Sequence, residues 1–411
     1  MAGSDDLSSI KDAVAMILAG GQGQRLLPLT RRRPKPAIRF AANYRIIDFT
    51  LSNCVNSNLK RVHLLTQFAA TSLHRHIQQG WSDLFVEELG EFIDTIPPQK
   101  IFTDRWYAAT ADAIYQNLFI LQEERPPWIF VLSGDHSYKM DYRLMLKQHL
   151  ASNAQLTIAC QPLLRQQCTD LGVVETDQSG HIIAFEEKPA KPQPIPTSPN
   201  HSLVSMGVYL WNTEELARQV AQDATTDSSH DFGRDIVPGM VEQGSPIMTY
   251  QFTSSPGGGP AYWRDIGTLD SYHQSNMDLL GLSPELDLYD EQWPIYSQRG
   301  QYPAAKVASS EAEASLDECL ISPGCIISGA RLRRSLLSPG VHIAEGAEVT
   351  ESILMDNVHI GADVQLHRTI VDEGVEIPAG CTGGRDRAQD EKKFIVTDSG
   401  ITVVRADAAL E

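Results

Sequence analysis

From Leu320 onward, aliphatic residues recur every 17 positions. Leu320, Leu337, Leu354 and Val371 form one series, Ile326, Ile343, Ile360 and Ile377 a second, and Leu332, Val349 and Leu366 a third. Within each unit the steps are six, five and six residues, which divides a coil into three short faces. α-Helical solenoids need units of roughly 30 residues or more, so this period excludes them. It fits a hexapeptide β-helix, whose stacked coils bury their aliphatic ladders. Gly340, Asn357 and Gly374 recur at one corner, where residues that tolerate positive φ are useful. The flat sides of such a solenoid suit it to mediating assembly, and the stretch from Lys393 to Val404 is expected to add a closing strand or two.

The chain ahead of the repeat has a different texture. Val14 to Leu18, Val62 to Thr66 and Trp128 to Leu132 are short apolar runs, the last reading as a central buried strand. Between them lie amphipathic stretches, among them one with Ile47, Leu51, Val55 and Leu59 at helical spacing. Asp141 is placed to cap a helix running to Leu150, and Gly172 to Thr176 with His181 to Phe185 reads as a hairpin. Further strands are expected at Gln155 to Cys160 and Leu203 to Leu210, and helices around 214–221 and 232–241. This alternation predicts an α/β domain with a mostly parallel sheet. The expected division is a catalytic domain over 1–290, a linker over 291–314 rich in Pro, Tyr, Gln and Ser, and a β-helix over 315–411.

The first strand runs into Gly20-Gly21-Gln22-Gly23 and then into a basic loop. From Ala13 to Ile47 there is no acidic residue but seven cations, Arg25, Arg31, Arg32, Arg33, Lys35, Arg39 and Arg45, in a chain of net charge −18. A strand feeding a glycine turn with converging amides and cations is how α/β proteins hold phosphates. The turn is neither a Walker A motif, lacking GKS/T, nor a dinucleotide fingerprint, lacking the third glycine. Asp135 follows the central strand, where a carboxylate either holds Mg²⁺ against a polyphosphate or caps a loop. Asp265, in Tyr262-Trp-Arg-Asp-Ile-Gly-Thr268, is either a second carboxylate for that ion or half of a surface pair with Arg264. Lys188 ends a strand in Phe185-Glu-Glu-Lys-Pro189, suited to a monophosphate. His74 and His76 do not share a helix face and are expected to be solvated.

Several classes are excluded or set aside by composition. The negative net charge repels nucleic acid, and no basic-aromatic pattern offsets it. No apolar run approaches the ~20 residues of a membrane span. The polar opening MAGSDDLSSIKDA reads as neither a secretory signal nor a transit peptide, so a cytoplasmic location is expected. Six scattered cysteines without CxxC argue against zinc. Together the constellations suggest metal-assisted transfer between two phosphate-bearing substrates.

The segments MILAGGQGQRLLPLTRRRPKPA, RIIDFTLSNCVNSN, LTQF, HIQQGW, LSGDHSYKMDY, FEEKPA, SMGVYLWN, SSHDFGRDIVP and YWRDIGTLDSY resemble the motifs of the bacterial glucose-1-phosphate adenylyltransferase (ADP-glucose pyrophosphorylase) family over nearly the whole chain. GGxGxRL is shared by sugar nucleotidyltransferases generally, whereas SNCVNSN, SHDFGRD and YWRDIGT are specific to the ADP-glucose enzymes. The resemblance implies a Rossmann-like nucleotide-diphospho-sugar transferase domain followed by a left-handed parallel β-helix of hexapeptide repeats. It implies transfer of AMP from ATP to glucose 1-phosphate in glycogen synthesis, with Mg²⁺ as cofactor. Leu18, Ala19, Gly20, Gly21 and Gly23 would wrap the ATP phosphates, with Arg25 and Lys35 on the pyrophosphate and Asp135 and Asp265 on the metal. Gln67 would lie on the adenine side, with Thr110 and Asp112 also at the nucleotide. Tyr107, Gly172, Glu187, Lys188 and Ser205 would form the glucose 1-phosphate pocket. Arg32 and Arg33 match basic residues for an allosteric activator, and Gln67 and Trp106 match positions that relay its signal. A homotetramer is implied as well.

Two departures stand out. The family's Trp-Tyr-Arg-Gly-Thr-Ala-Asp-Ala is here Trp106-Tyr-Ala-Ala-Thr-Ala-Asp-Ala113, which removes a cation near the nucleotide and adds a methyl. The sequence closes in Val404-Arg-Ala-Asp-Ala-Ala-Leu-Glu411, where relatives often carry further basic residues. Rivals from other classes are a nucleotidyltransferase for another base or sugar, and a weakly active regulatory subunit.

Overall fold

A computed structural model describes residues 9–99, 105–254, 259–309 and 313–407. The first eight residues of the polar opening, 310–312 of the expected linker and 408–411 at the end lie outside the described residues. A nine-stranded sheet organises the first domain, in the order Ile182–Glu187, Gly172–Thr176, His201–Asn212, Trp128–Ser133, Val14–Ala19, Arg61–Thr66, Phe92–Ile96. Leu156–Leu164 branches from His201–Asn212 and carries Ile247–Gln251 at its far side. Seven of the nine strands run in one sense, and only His201–Asn212 and Ile182–Glu187 oppose them.

The central strands are apolar on both faces because both are covered. Ala15 and Ile17 belong to one core with Phe130 and Leu132, while Val14 and Met16 belong to a second with Ile129 and Val131. Successive side chains point to opposite faces, so a continuous apolar run serves two layers. Helix Ile46–Asn56 seals the first core through Ile47 and Leu51. Helix Tyr142–Ser152 starts where expected, with Asp141 Oδ1 accepting from the Arg143 amide at 3.0 Å. The seven strands that run in one sense bring their carboxyl ends to one edge.

The C-terminal part is a parallel β-helix of three stacked sheets, of five, five and six strands. The strand Lys306–Ala308 already pairs with Ile326–Ser328, inside the segment expected to be linker. Two of the expected ladders are corrected in their first rung. Ile327, not Ile326, is in register with Ile343, Ile360 and Ile377, and Ile321, not Leu320, with Leu337, Leu354 and Val371. The step from Ile327 to Ile343 is therefore 16 residues, and the two steps after it are 17. Sliding by one residue in a strand moves a side chain to the opposite face: Ile327 is fully buried and Ile326 is 39% exposed. The third ladder, Leu332, Val349 and Leu366, lies in register as read. Gly340, Asn357 and Gly374 all have positive φ, of 75°, 55° and 70°. Ile395–Val396 and Thr402–Val404 close the stack.

The two domains share an apolar core. Leu336, Ile353, Met355 and Ile370 of the β-helix pack with Leu29, Ile38, Phe40 and Tyr272. Three arginines of the basic loop fix this contact. Arg39 meets Asp356 through two hydrogen bonds, of 2.6 and 2.7 Å, Arg31 meets Asp407 at 2.6 Å, and Arg33 is buried against both Asp372 and Glu373.

Candidate active site

The glycine turn sits where Val14–Ala19 ends, beside the end of Trp128–Ser133. The two strand ends are tied by the Gly134 amide donating to Leu18 O at 3.1 Å. Gly23 has φ of 60°, and a Cβ there would lie 2.9 Å from Thr30 Cγ2 and 3.2 Å from Lys35 Cβ, so only glycine fits. Thr30 Oγ1 donates to Gly23 O at 2.9 Å and holds the turn against the basic loop. The result is a cleft of about 310 Å³ lined by Leu18, Ala19, Gly21, Gly23, Arg25, Lys35 and Asp135. Gly20 faces away from it, onto Gln67.

Lys35, in the short turn Lys35–Ala37, lies at the bottom of this cleft. Its ammonium is 2.7 Å from Asp135 Oδ2 and 3.0 Å from Asp265 Oδ1. Asp265 reaches this point because Trp263–Asp265 pairs antiparallel with His136–Tyr138, which sets Asp265 opposite His136. Burial of Lys35 favours loss of its proton, but the two carboxylates outweigh that and hold its pKa above the ordinary value. Burial pushes Asp135 upward, yet Lys35 and then His136 pull its carboxyl well below the usual range. Lys35 and Asp135 are therefore both ionised near neutrality. Arg25, more exposed, forms an ion pair with Asp170 at 2.8 Å, and the two line the adjoining cleft with Asp265.

The residues read as the sugar pocket lie around the Gly172–Thr176 and Ile182–Glu187 hairpin. A Cβ on Gly172 would come within 2.9 Å of Glu187 Oε2 and 2.5 Å of Phe185 Cζ, so the carboxylate sits directly on backbone there. Burial, with Asp231 adding to it, raises the Glu187 pKa, and Lys188 at 3.5 Å offsets this only in part. Ser205 is buried and accepts from the Gly207 amide at 3.2 Å. Tyr107 is buried, with Asn117 Nδ2 donating to its hydroxyl at 3.0 Å.

Gln67 follows strand Arg61–Thr66, and its Oε1 accepts from the Tyr107 amide at 2.7 Å. The neighbouring Trp106 is 60% exposed. Asp112 accepts from the Ala108 amide at 2.7 Å and from Gln116 at 2.8 Å, which fixes the loop that departs from the family pattern. Thr110 Oγ1 donates to Asp231 at 3.0 Å.

One of the sequence readings is corrected. His76 is not solvated: it is buried, and its Nε2 lies 2.5 Å from Asp48 Oδ1, a carboxylate that also accepts from Trp81, Ser297 and the Arg45 amide. Arg33, expected at an effector site, is buried with its guanidinium against Asp372 and Glu373. Arg32 stays exposed, in a recess of about 180 Å³ that Arg31, Arg33, Arg45 and Arg405 line together with Asp372, Glu373 and Asp407. Three residues were not read from sequence. His136 lies inside LSGDHSYKMDY and Asp231 inside SSHDFGRDIVP, and those motifs were the available signal; Asp170 carried none.

Asp135, His136 and Asp265 offer ligand atoms that all lie within 4.8 Å of one another, a group able to hold a metal ion. Asp135 lines the cleft at the glycine turn and Asp265 the adjoining one, and two such carboxylates suit a hard divalent cation.

The chain matches the Nucleotidyl transferase family over residues 14–281. It matches the GlmU-like, C-terminal hexapeptide family over 303–404. It is 44% identical over 400 residues to the glucose-1-phosphate adenylyltransferase of Methylococcus capsulatus, covering 97% of this chain and 94% of that protein. The same enzyme of Koribacter versatilis is 44% identical over 404 residues, with 97% and 96% covered. Glucose-1-phosphate adenylyltransferase 2 of Vibrio cholerae is 43% identical over 400 residues, with 96% and 98% covered.

Proposed function

The chain belongs to the glucose-1-phosphate adenylyltransferase family of nucleotidyltransferases, and on that premise we propose that it joins ATP and glucose 1-phosphate into ADP-glucose and diphosphate, the committed step of bacterial glycogen synthesis. The observation that carries this reading is the convergence of Lys35, Asp135 and Asp265 beside the Gly21–Gly23 turn.

A phosphate oxygen of glucose 1-phosphate attacks the α-phosphorus of ATP in line, and the bond to the diphosphate oxygen breaks. The nucleophile is already anionic, so no strong general base is required. Catalysis is then orientation plus preorganised charge. Lys35 and Arg25 take the charge that develops on the departing diphosphate. Glu187 accepts from a sugar hydroxyl and Lys188 meets the sugar phosphate, with Tyr107, Gly172 and Ser205 shaping that pocket. Gln67, Thr110 and Asp112 order the nucleotide side, two of them by fixing backbone of 107–108. Mg²⁺ held by Asp135 and Asp265 would neutralise phosphate oxygens during the transfer.

The same reading extends to assembly and control. Arg32 and Arg33, in the recess lined by Arg31, Arg45 and Arg405 as well as by Asp372, Glu373 and Asp407, are read as the site of an anionic effector, with Gln67 and Trp106 as the residues that relay its signal. The β-helix supports a homotetramer, and the reaction belongs in the cytoplasm. Among the described residues no helix is long and apolar enough to cross a membrane.

The test is diphosphate release from ATP, UTP, dTTP and GTP, each with glucose 1-phosphate and with other sugar 1-phosphates. Turnover confined to ATP with glucose 1-phosphate supports the reading. Preference for another nucleotide or sugar, or no turnover by the folded chain, contradicts it.

A further inference from the structure

The two carboxylates suited to a divalent cation are already engaged by a side chain of the protein. Lys35 Nζ lies 2.7 Å from Asp135 Oδ2 and 3.0 Å from Asp265 Oδ1. The second oxygen of Asp135 accepts from Ser133 Oγ at 2.7 Å. Every oxygen of Asp135 thus faces a proton donor, and one of Asp265 is shared with it. An ammonium and a divalent cation at these oxygens repel each other, because both sit within a few ångströms of the same anionic pair. The lysine side chain is only 10% exposed, so it cannot yield its place by turning into bulk water. Its open direction is the cleft bounded by Gly21, Gly23 and Arg25.

We propose that Lys35 is a resident competitor for the divalent cation: the protein alone binds the cation weakly, and the cation enters with the nucleotide, whose phosphates take Lys35 in exchange. The proposal rests on the reading of Lys35, Asp135 and Asp265 given above. It adds an order of events that the residues' roles do not by themselves contain. Lys35 keeps the two aspartates converged before the nucleotide arrives, and the same exchange delivers its charge to the leaving group. A cation bound without nucleotide would leave Lys35 without an anionic partner, so premature loading is disfavoured by the fold.

The experiment is an electron paramagnetic resonance titration of the full chain with Mn²⁺, with and without ATP. Wild type is expected to bind Mn²⁺ alone weakly and Mn²⁺ with ATP tightly. Lys35→Met is expected to bind Mn²⁺ alone about tenfold tighter than wild type or more, at least ~1.4 kcal/mol. Adding Asp265→Asn to Lys35→Met should remove that gain, which locates it at this site. Should Lys35→Met not fold, thermal unfolding of wild type gives the second measurement: Mn²⁺ alone leaves the midpoint unchanged, and Mn²⁺ with ATP raises it. Equal Mn²⁺ affinity of wild type and Lys35→Met, or a wild-type midpoint raised as much by Mn²⁺ alone as with ATP, overturns the proposal. Diphosphate release by wild type is read separately. Its absence would overturn the functional reading, whereas the Mn²⁺ comparison decides the competition whatever the turnover.

Discussion

Lys35 sits between two aspartates that are distant in sequence from it and from each other. Its positive charge is secured by them against the effect of burial, which makes it a preorganised donor rather than a flexible surface cation. Removing such a donor costs roughly 2.7–4 kcal/mol in the transition state, so Lys35→Ala should lower kcat by about 10²–10³ or more. Wild-type turnover in that variant, measured by initial rates at saturating substrates, would rule out its role at the leaving group. Glu187 supplies a pH test. Burial and Asp231 raise its pKa, so on acidification it takes a proton before an ordinary glutamate, near 4.3, would. The ionised form accepts the sugar hydroxyl, so KM for glucose 1-phosphate should rise as the pH falls towards that range. The substrate's own phosphate also titrates near pH 6, in every variant alike. Glu187→Gln should therefore start at a higher KM and show a shallower rise; parallel curves for the two proteins would refute the assignment. Lys35 and Asp135 were legible in the sequence because a glycine turn and a buried strand end leave few places for them. The convergence of Asp265 was not, because it depends on a short antiparallel pairing with His136–Tyr138, far away in the chain. His76 was misread since spacing along one helix says nothing about Asp48 on another.

At the scale of elements, the β-helix shows how far a period can be trusted. The aliphatic repeat revealed the architecture, since three stacked sheets need one apolar ladder per face. It also placed the first coil one residue out, because Ile326 and Ile327 are both isoleucine and only strand pairing distinguishes them. Truncating a buried isoleucine to alanine costs about 2–5 kcal/mol, whereas an exposed change stays within roughly 0.5 kcal/mol. Ile327→Ala should accordingly lower the urea midpoint markedly and Ile326→Ala hardly at all. A larger loss for Ile326→Ala would restore the uniform 17-residue register. The basic loop was legible as a phosphate site, but its surplus of charge was not explained by phosphate alone. Arg31, Arg33 and Arg39 are counter-ions for Asp407, Asp372, Glu373 and Asp356 on the β-helix, a partnership invisible until the domains are docked.

For the whole molecule, one basic segment does two jobs inside an acidic chain. Its first part, with Lys35, serves the cleft; the arginines around it clamp the catalytic domain to the β-helix through a shared apolar core. The site sits at the carboxyl edge of the sheet, and none of the described residues of the solenoid lines its cleft. The most direct test of the account is a phosphorus-31 NMR time course with ATP, glucose 1-phosphate and Mg²⁺. The account predicts that wild type forms ADP-glucose and diphosphate in equal amounts, and that Asp265→Asn, folded by circular dichroism, forms neither at a comparable rate. Release of diphosphate without ADP-glucose, or undiminished ADP-glucose formation by Asp265→Asn, would contradict it.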